Sequence, residues 1–219
     1  MFKKKTIIFD MDGVIVDAEP YHCQAWIEAC REIGINIDEK FYFSKVCGNH
    51  SLTSAKMLLE QFNKNNAPDD LVDKKSFYAQ KIISLEKINA FPGVLELVNF
   101  FNKKKYRIGL VSSSSYPIIN TILSKFKIKS CFSLIHGPER SKQGKPDPEP
   151  YVLAAKILSV EPWDCVVLED SKSGVVSAKR AGAKCIAYLN GHNRAQDLGL
   201  ADHITNSFFK INERLINNL

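Results

Sequence analysis

Thr6-Ile7-Ile8-Phe9-Asp10-Met11-Asp12-Gly13 is the stretch on which the fold turns. Its first four residues are apolar or β-branched and short enough for a buried strand. They run without a break into two carboxylates spaced two residues apart, then a glycine. In an open α/β sheet, ligands collect at the carboxyl edge of the strands, where Asp10 and Asp12 can project toward one cavity. A carboxylate is a competent nucleophile toward phosphorus once the phosphoryl charge is neutralised. A second carboxyl can protonate the leaving oxygen and then deprotonate water. Asp10 is therefore the candidate nucleophile and Asp12 the candidate acid/base, with a helix cap or a turn as the alternatives. A calcium loop fits poorly. The glycine is fourth rather than sixth, and Ala18 and Tyr21 stand six and nine residues after Asp12.

Outward from this stretch, short apolar runs recur at Arg107–Val111, Leu134–His136, Cys165–Leu168 and Lys184–Leu189, with a weaker one at His203–Thr205. Helical patterns separate most of them: Gly93–Lys104, Ile118–Phe126, Pro148–Leu158 and Ser171–Ala181. This alternation predicts an α/β core, a Rossmann-like parallel sheet with helices on both faces. It is interrupted once. After the first strand about seventy residues pass with three helical patterns, Tyr21–Ile33, Leu52–Phe62 and Asp69–Leu85. The expected organisation is a core of residues 1–16 and 89–219 with an inserted α-helical domain at 17–88. Two connectors, near Val14–Pro20 and Lys87–Pro92, are placed as a hinge would be.

Three further signals fall at strand ends or in strand-to-helix loops. Ile108-Gly109-Leu110-Val111 leads into Ser112-Ser113-Ser114-Ser115-Tyr116-Pro117. Hydroxyls and backbone N–H groups before a helix form an anion site, so Ser112 can hold transferring phosphoryl oxygens, with Ser113 and Ser114 beside it as candidate substrate contacts. Ser115 can equally serve as a helix cap. Gly144-Lys145-Pro146-Asp147-Pro148 presents a lysine in a stiffened loop. A lone lysine reads as surface charge, but a dianionic phosphate beside two carboxylates requires a fixed cation, which gives Lys145 its weight. Val166-Val167-Leu168-Glu169-Asp170-Ser171 ends an apolar strand in adjacent acids. Hard oxygen ligands there suit Mg²⁺. Asp170 is the better candidate ligand, and Glu169 binds directly or through water. An acid at a helix start can instead complement the helix dipole.

Composition excludes several classes. The 219 residues, 45% hydrophobic and 25% charged, can bury a core without disulfides or a structural metal. The net charge of +6 is spread in short runs such as Lys3–Lys5 and Lys103–Lys105. With no zinc-ligand spacing or RNA-binding signature, no nucleic-acid partner is expected. The excess favours small phosphorylated anions. Six scattered cysteines form no C-x-x-C pair and suit a reducing cytoplasm. No run approaches the roughly 20 apolar residues that cross a bilayer, and the basic start Met1–Lys5 lacks a signal-peptide core, so no membrane association is expected.

In order and spacing, Asp10-x-Asp12-Gly13, the strand-end serine, Lys145 and the pair Glu169-Asp170 resemble the haloacid dehalogenase-like hydrolase superfamily, over nearly the whole chain. The nearest subgroup is that of β-phosphoglucomutases and sugar-phosphate phosphatases with a helical cap. The resemblance implies that Asp10, Asp12, Ser112, Lys145, Glu169 and Asp170 take the roles argued above. It also implies that Asp10 and the main-chain carbonyl of Asp12 join Glu169 and Asp170 around Mg²⁺. The second aspartate and the acidic pair look like the phosphotransferase branch rather than a dehalogenase. The segment Val16–Trp26 is similar to the start of the subgroup's cap. There His22 sits near the hinge, although a packed helical position is the alternative. Asn49, His50 and Lys74 are the cap residues expected to select a substrate. Mutases of this group carry an arginine after a cap Gly-x-x motif and a lysine after the strand-end serines. Here those places read Gly48-Asn49-His50-Ser51 and Ser112-Ser113-Ser114-Ser115. The expectation is a phosphatase acting on a small phosphorylated metabolite, a sugar phosphate first. A mutase with Lys74, Lys75 or His50 compensating is the alternative, and a non-enzymatic binding protein a more distant one. Subgroup resemblance also implies a monomer.

Overall fold

The computed structural model describes residues 5–49, 51–86, 88–193 and 196–219, and the chain divides into two compact units, Met1–Asp17 with Asn89–Leu219, and Ala18–Ile88. Among the described residues of the first unit, the strands are β1 (Thr6–Phe9), β2 (Ile108–Val111), β3 (Leu134–His136), β4 (Cys165–Glu169), β5 (Lys184–Tyr188) and β6 (His203–Thr205). They form one parallel sheet in the order β3-β2-β1-β4-β5-β6. Ile7 lies opposite Ile108 and Val166, and Phe9 opposite Leu110 and Leu168. Because both faces of a parallel sheet are covered, its strands are apolar throughout rather than alternating. One face packs Ile8, Val111, Val167, Cys185 and Ala187 against Tyr151, Ala154, Leu158, Val175 and Ala178. The opposite face carries Ile7, Phe9, Ile108, Leu110, Val166 and Leu168, all buried in turn.

The chain winds from β1 outward to β2 and β3, then crosses back to β4 on the other side of β1. That reversal opens a crevice at the carboxyl ends of β1, β2 and β4. Asp10 N donates to Leu168 O at 2.9 Å and Ser112 N to His136 O at 3.0 Å, so the sheet's bonding continues into the loops that carry the polar residues.

Among the described residues of the second unit, the regular elements are all helical: α1 (Glu19–Glu32), α2 (Glu39–Phe41) leading into a π-turn at Tyr42–Val46, α3 (Ser51–Gln61) and α4 (Pro68–Leu85). Its core gathers Trp26, Cys30, Ile35, Tyr42, Leu58, Leu59 and Leu71. The segment from α2 through the π-turn was absent from the periodic pattern, because three helical residues and a π-turn leave no full helical period to detect. It is set by Asp38, whose carboxylate accepts from Phe41 N at 2.7 Å.

The first unit's helices are α5 (Val94–Lys103), α6 (Tyr116–Lys125), α7 (Glu149–Ile157), α8 (Lys172–Arg180) and a short α9 (Glu213–Asn218). Ser115 stands before α6 but makes no side-chain cap. The free amide of Tyr116 is instead satisfied by the Glu139 carboxylate at 2.9 Å. Ser171 does cap α8, its hydroxyl accepting from Gly174 N at 3.0 Å. All six cysteines are free thiols. No helix among the described residues is long and apolar enough to cross a membrane.

Candidate active site

Three strand ends, those of β1, β2 and β4, and the loop after β3 bring Asp10, Asp12, Ser112, Ser114, Lys145, Glu169 and Asp170 to the crevice. Directly after β1 the chain turns sharply. Met11 O accepts from the amides of Val14, Ile15 and Val16, and Gly13 takes φ +85°. A Cβ on Gly13 would stand 2.0 Å from Asp170 Oδ2, so glycine is required both by backbone and by space.

Lys145 organises the cluster. Only 8% exposed, its ammonium donates to Asp10 Oδ1 at 2.6 Å, Glu169 Oε1 at 2.6 Å and Val111 O at 3.3 Å. Those three acceptors use its three protons. Its Nζ also lies 5.2 Å from the ring centre of Tyr151. Burial alone would lower the lysine's pKa, but the charges and hydrogen bonds of Asp10 and Glu169 outweigh it and hold the amine above its usual value. Asp10 is pushed up to about 8, first by burial and then by the Glu169 and Asp12 carboxylates, with Lys145 opposing the rise. Carboxylates thus outnumber cations in this pocket, an imbalance that a bound divalent cation would relieve.

Glu169 is fully buried, and both its oxygens are engaged. Oε1 accepts from Lys145 and from the Tyr151 hydroxyl at 2.6 Å, and Oε2 from Asp170 N at 3.1 Å and Ser171 Oγ at 3.2 Å. A Cβ on Gly174 would meet that carboxylate at 2.0 Å, so α8 can approach only because the residue is glycine. Asp10, Glu169 and Asp170 each offer an oxygen within 4.8 Å of the others. An all-carboxylate set of this size fits a hard divalent ion such as Mg²⁺.

The serines separate. Ser114 Oγ donates to Asp12 Oδ2 at 2.7 Å, Ser112 Oγ reaches the same oxygen at 3.4 Å, and Ser114 N donates to Ser112 Oγ at 3.0 Å. Ser113 is exposed to solvent. Ser114, expected as a substrate contact, is thus a partner of the candidate acid/base.

The helical unit's candidates are not gathered in this way. His22 is buried, with Lys75 Nζ 3.2 Å from its Nδ1, so the packed position and a polar partner both apply. Asn49 is exposed and donates to Lys45 O at 2.8 Å. Lys74 pairs with Glu32, which also accepts from Tyr78 at 3.1 Å. His50 lies outside the described residues.

Sequence reasoning missed Tyr151, Asn190 and Asn193. Tyr151 was hidden in the apolar face of α7. Asn190-Gly191-His192-Asn193 follows an apolar strand just as the recognised motifs do, and that position was the available signal.

The molecule is a Rossmann-like α/β protein with an acidic, lysine-bridged cluster at the switch point of its parallel sheet. Residues 7–188 match the family described as haloacid dehalogenase-like hydrolase, and the chain belongs to it. Among relatives, the phosphorylated carbohydrates phosphatase of Thermotoga maritima is 30% identical over 182 residues, covering 83% of each chain. The beta-phosphoglucomutase of Bacillus subtilis is 33% identical over 192 residues, 85% of this chain and 84% of that one. The crystal structure of CbbY from Rhodobacter sphaeroides in complex with phosphate superposes with a TM-score of 0.89 over 99% of this chain and 100% of that one. At 23% identity it is a likeness of fold.

Proposed function

We propose that the chain is a Mg²⁺-dependent phosphatase that hydrolyses a small phosphorylated metabolite, foremost a sugar phosphate, through a phosphoryl-aspartate on Asp10. The observation that carries this reading is the Lys145 ammonium 2.6 Å from Asp10, two residues from an Asp12 carboxyl held by Ser114 at 2.7 Å. A nucleophilic carboxylate, a fixed cation and a separately held acid/base are the parts that phosphoryl transfer through an aspartate requires.

Asp10 attacks phosphorus, and the P–O bond to the leaving group breaks as Asp12 gives that oxygen its proton. Asp12, now a carboxylate, takes a proton from the water that cleaves the aspartyl phosphate, which frees Asp10. Ser112 holds phosphoryl oxygens, and the Lys145 ammonium beside Asp10 neutralises their charge while Glu169 anchors it from behind. Asp10, Asp170 and the Asp12 carbonyl would hold Mg²⁺, with Glu169 close by; the ion supplies charge neutralisation of the phosphoryl oxygens. The likeness to a phosphatase named for phosphorylated carbohydrates supports the substrate class.

A mutase is the second reading, favoured by the 33% identity to a beta-phosphoglucomutase. Against it, Ser51 and Ser115 stand where mutases of the group carry positive charge, and a second phosphate would lack charge-assisted partners.

The test is phosphate release with Mg²⁺ across sugar phosphates and nucleotides, beside a coupled assay for conversion of β-glucose 1-phosphate to glucose 6-phosphate. Release without isomerisation, lost in Asp10→Asn, is the expected result. Isomerisation with little free phosphate replaces the phosphatase by the mutase, and near-normal turnover by purified Asp10→Asn refutes both.

A further inference from the structure

The loop after β5, Asn190-Gly191-His192-Asn193, enters none of the steps above, yet it closes around Asp170. Asn190 Nδ2 lies 2.8 Å from Asp170 Oδ2 and 3.0 Å from Gly13 O, so the two amide hydrogens bridge the acidic loop after β4 and the turn after β1. The orientation of the amide is fixed by its other end. Asn190 Oδ1 accepts from His192 N at 3.0 Å and Asn193 N at 3.3 Å. Rotated by half a turn, it would set its carbonyl against a carboxylate and a backbone carbonyl, and its NH₂ against two N–H donors.

Asn193 completes the clasp. It is 1% exposed, its Nδ2 donates to Asp170 O at 2.7 Å and Tyr188 O at 2.8 Å, and its Oδ1 accepts from Asn190 N at 3.2 Å. Asp170 is thus held at its main-chain carbonyl by one asparagine and at its carboxylate by the other. Gly13 lies directly beneath, where an added Cβ would be 2.9 Å from Asn190 Nδ2.

We propose that Asn190 is a positioning residue for the metal site. It fixes the Asp170 carboxylate in its cluster with Asp10 and Glu169, and ties the Asp10–Gly13 turn to it. The inference rests on the reading of Asp170 as a Mg²⁺ ligand. Groups that hold metal ligands from outside typically govern about 10- to 100-fold of metal affinity. Asn190→Ala should therefore weaken Mg²⁺ binding by about that factor. The Mg²⁺ concentration for half-maximal activity should rise in step, while kcat at saturating Mg²⁺ recovers.

The experiment is calorimetric titration of Mg²⁺ into the substrate-free protein, for the unaltered chain, Asn190→Ala, Asn190→Ser and Asp170→Asn. The Ser variant keeps a small polar group should the Ala variant not fold, and melting curves in EDTA certify each protein. Weakened binding in a folded Asn190 variant, with binding lost in Asp170→Asn, is the expected result. If the Asn190 variants melt earlier but bind Mg²⁺ as tightly as the unaltered chain, the residue is structural only and the proposal falls, leaving Asp170 as ligand untouched. If Asp170→Asn itself binds Mg²⁺ normally, the ligand reading fails and takes this inference with it.

Discussion

At the sheet edge, Lys145 is sealed in and bonded to two buried carboxylates, whereas in the helical unit Lys74 meets Glu32 at the surface with 35% of its side chain exposed. The two lysines make the same kind of contact in different solvents. Around Lys145 little water remains to compensate for a missing partner, so each member of the cluster depends on the others. Around Lys74 water replaces Glu32 at small cost, and the pair constrains little. A polar side chain becomes indispensable through the environment its strand end imposes, more than through its chemical type.

That contrast breaks most sharply at Lys145. Lys145→Met leaves Asp10 and Glu169 facing each other without a cation, and should abolish turnover and cost about 3–5 kcal/mol in denaturant unfolding. Near-normal activity in this variant would remove Lys145 from the mechanism.

Gly174→Ala tests the same cluster without altering any polar atom. Its Cβ, 2.0 Å from the Glu169 carboxylate, must displace that group or push α8 away. We expect a loss of kcat of about 10-fold or more, on the scale seen when a positioned catalytic group moves by an ångström. An unchanged kcat would mean that Glu169 is not needed where it sits.

A smaller effect concerns pH. Burial first, then the positive charges of Arg140 and Lys145, hold His136 below its usual pKa. As pH falls through about 6.5, the unfolded chain takes up this proton before the folded one does. Stability present above that pH is therefore lost toward the lower folded value, with a limiting slope of about 1.4 kcal/mol per pH unit. Urea midpoints from pH 7 to 5 should fall more steeply for the unaltered protein than for His136→Gln. Parallel slopes would assign the acid sensitivity elsewhere.

The smallest effect is expected in the helical unit. Lys74→Ala should leave the melting temperature unchanged within measurement, since its pairing with Glu32 is at the surface. A clear drop would show that the helical unit too holds charges under constraint.

This same difference explains how far the sequence was legible. Strand ends could be read from apolar runs stopping at a polar residue, and Asp10, Ser112, Glu169 and Asp170 do stand at the ends of β1, β2 and β4. The doubly wound sheet followed from the spacing of those runs. Lys145 was legible only through the charge its neighbours require, since nothing in Gly144–Pro148 shows that the amine is buried. Ser114 was assigned to substrate because sequence gives a hydroxyl but not its direction; it points to Asp12. The helical unit offered periodicity, which locates an apolar face and leaves the polar face undetermined. Asn49 and Lys74 lay on that undetermined part. Tyr151 and Asn190 escaped for a further reason: the Tyr151 hydroxyl sits on a ring that reads as part of an apolar helix face, and Asn190, which bonds through both ends of its amide, reads only as loop.

The enclosure of Lys145 also sets its reactivity. Acylating reagents attack the lone pair of a neutral, accessible amine, and this one is protonated, buried and bound through all three of its hydrogens. Exposed lysines such as Lys103 and Lys105 will therefore consume such a reagent first. The protein can accordingly be tagged or immobilised through its surface amines while the buried amine at the sheet edge stays unmodified.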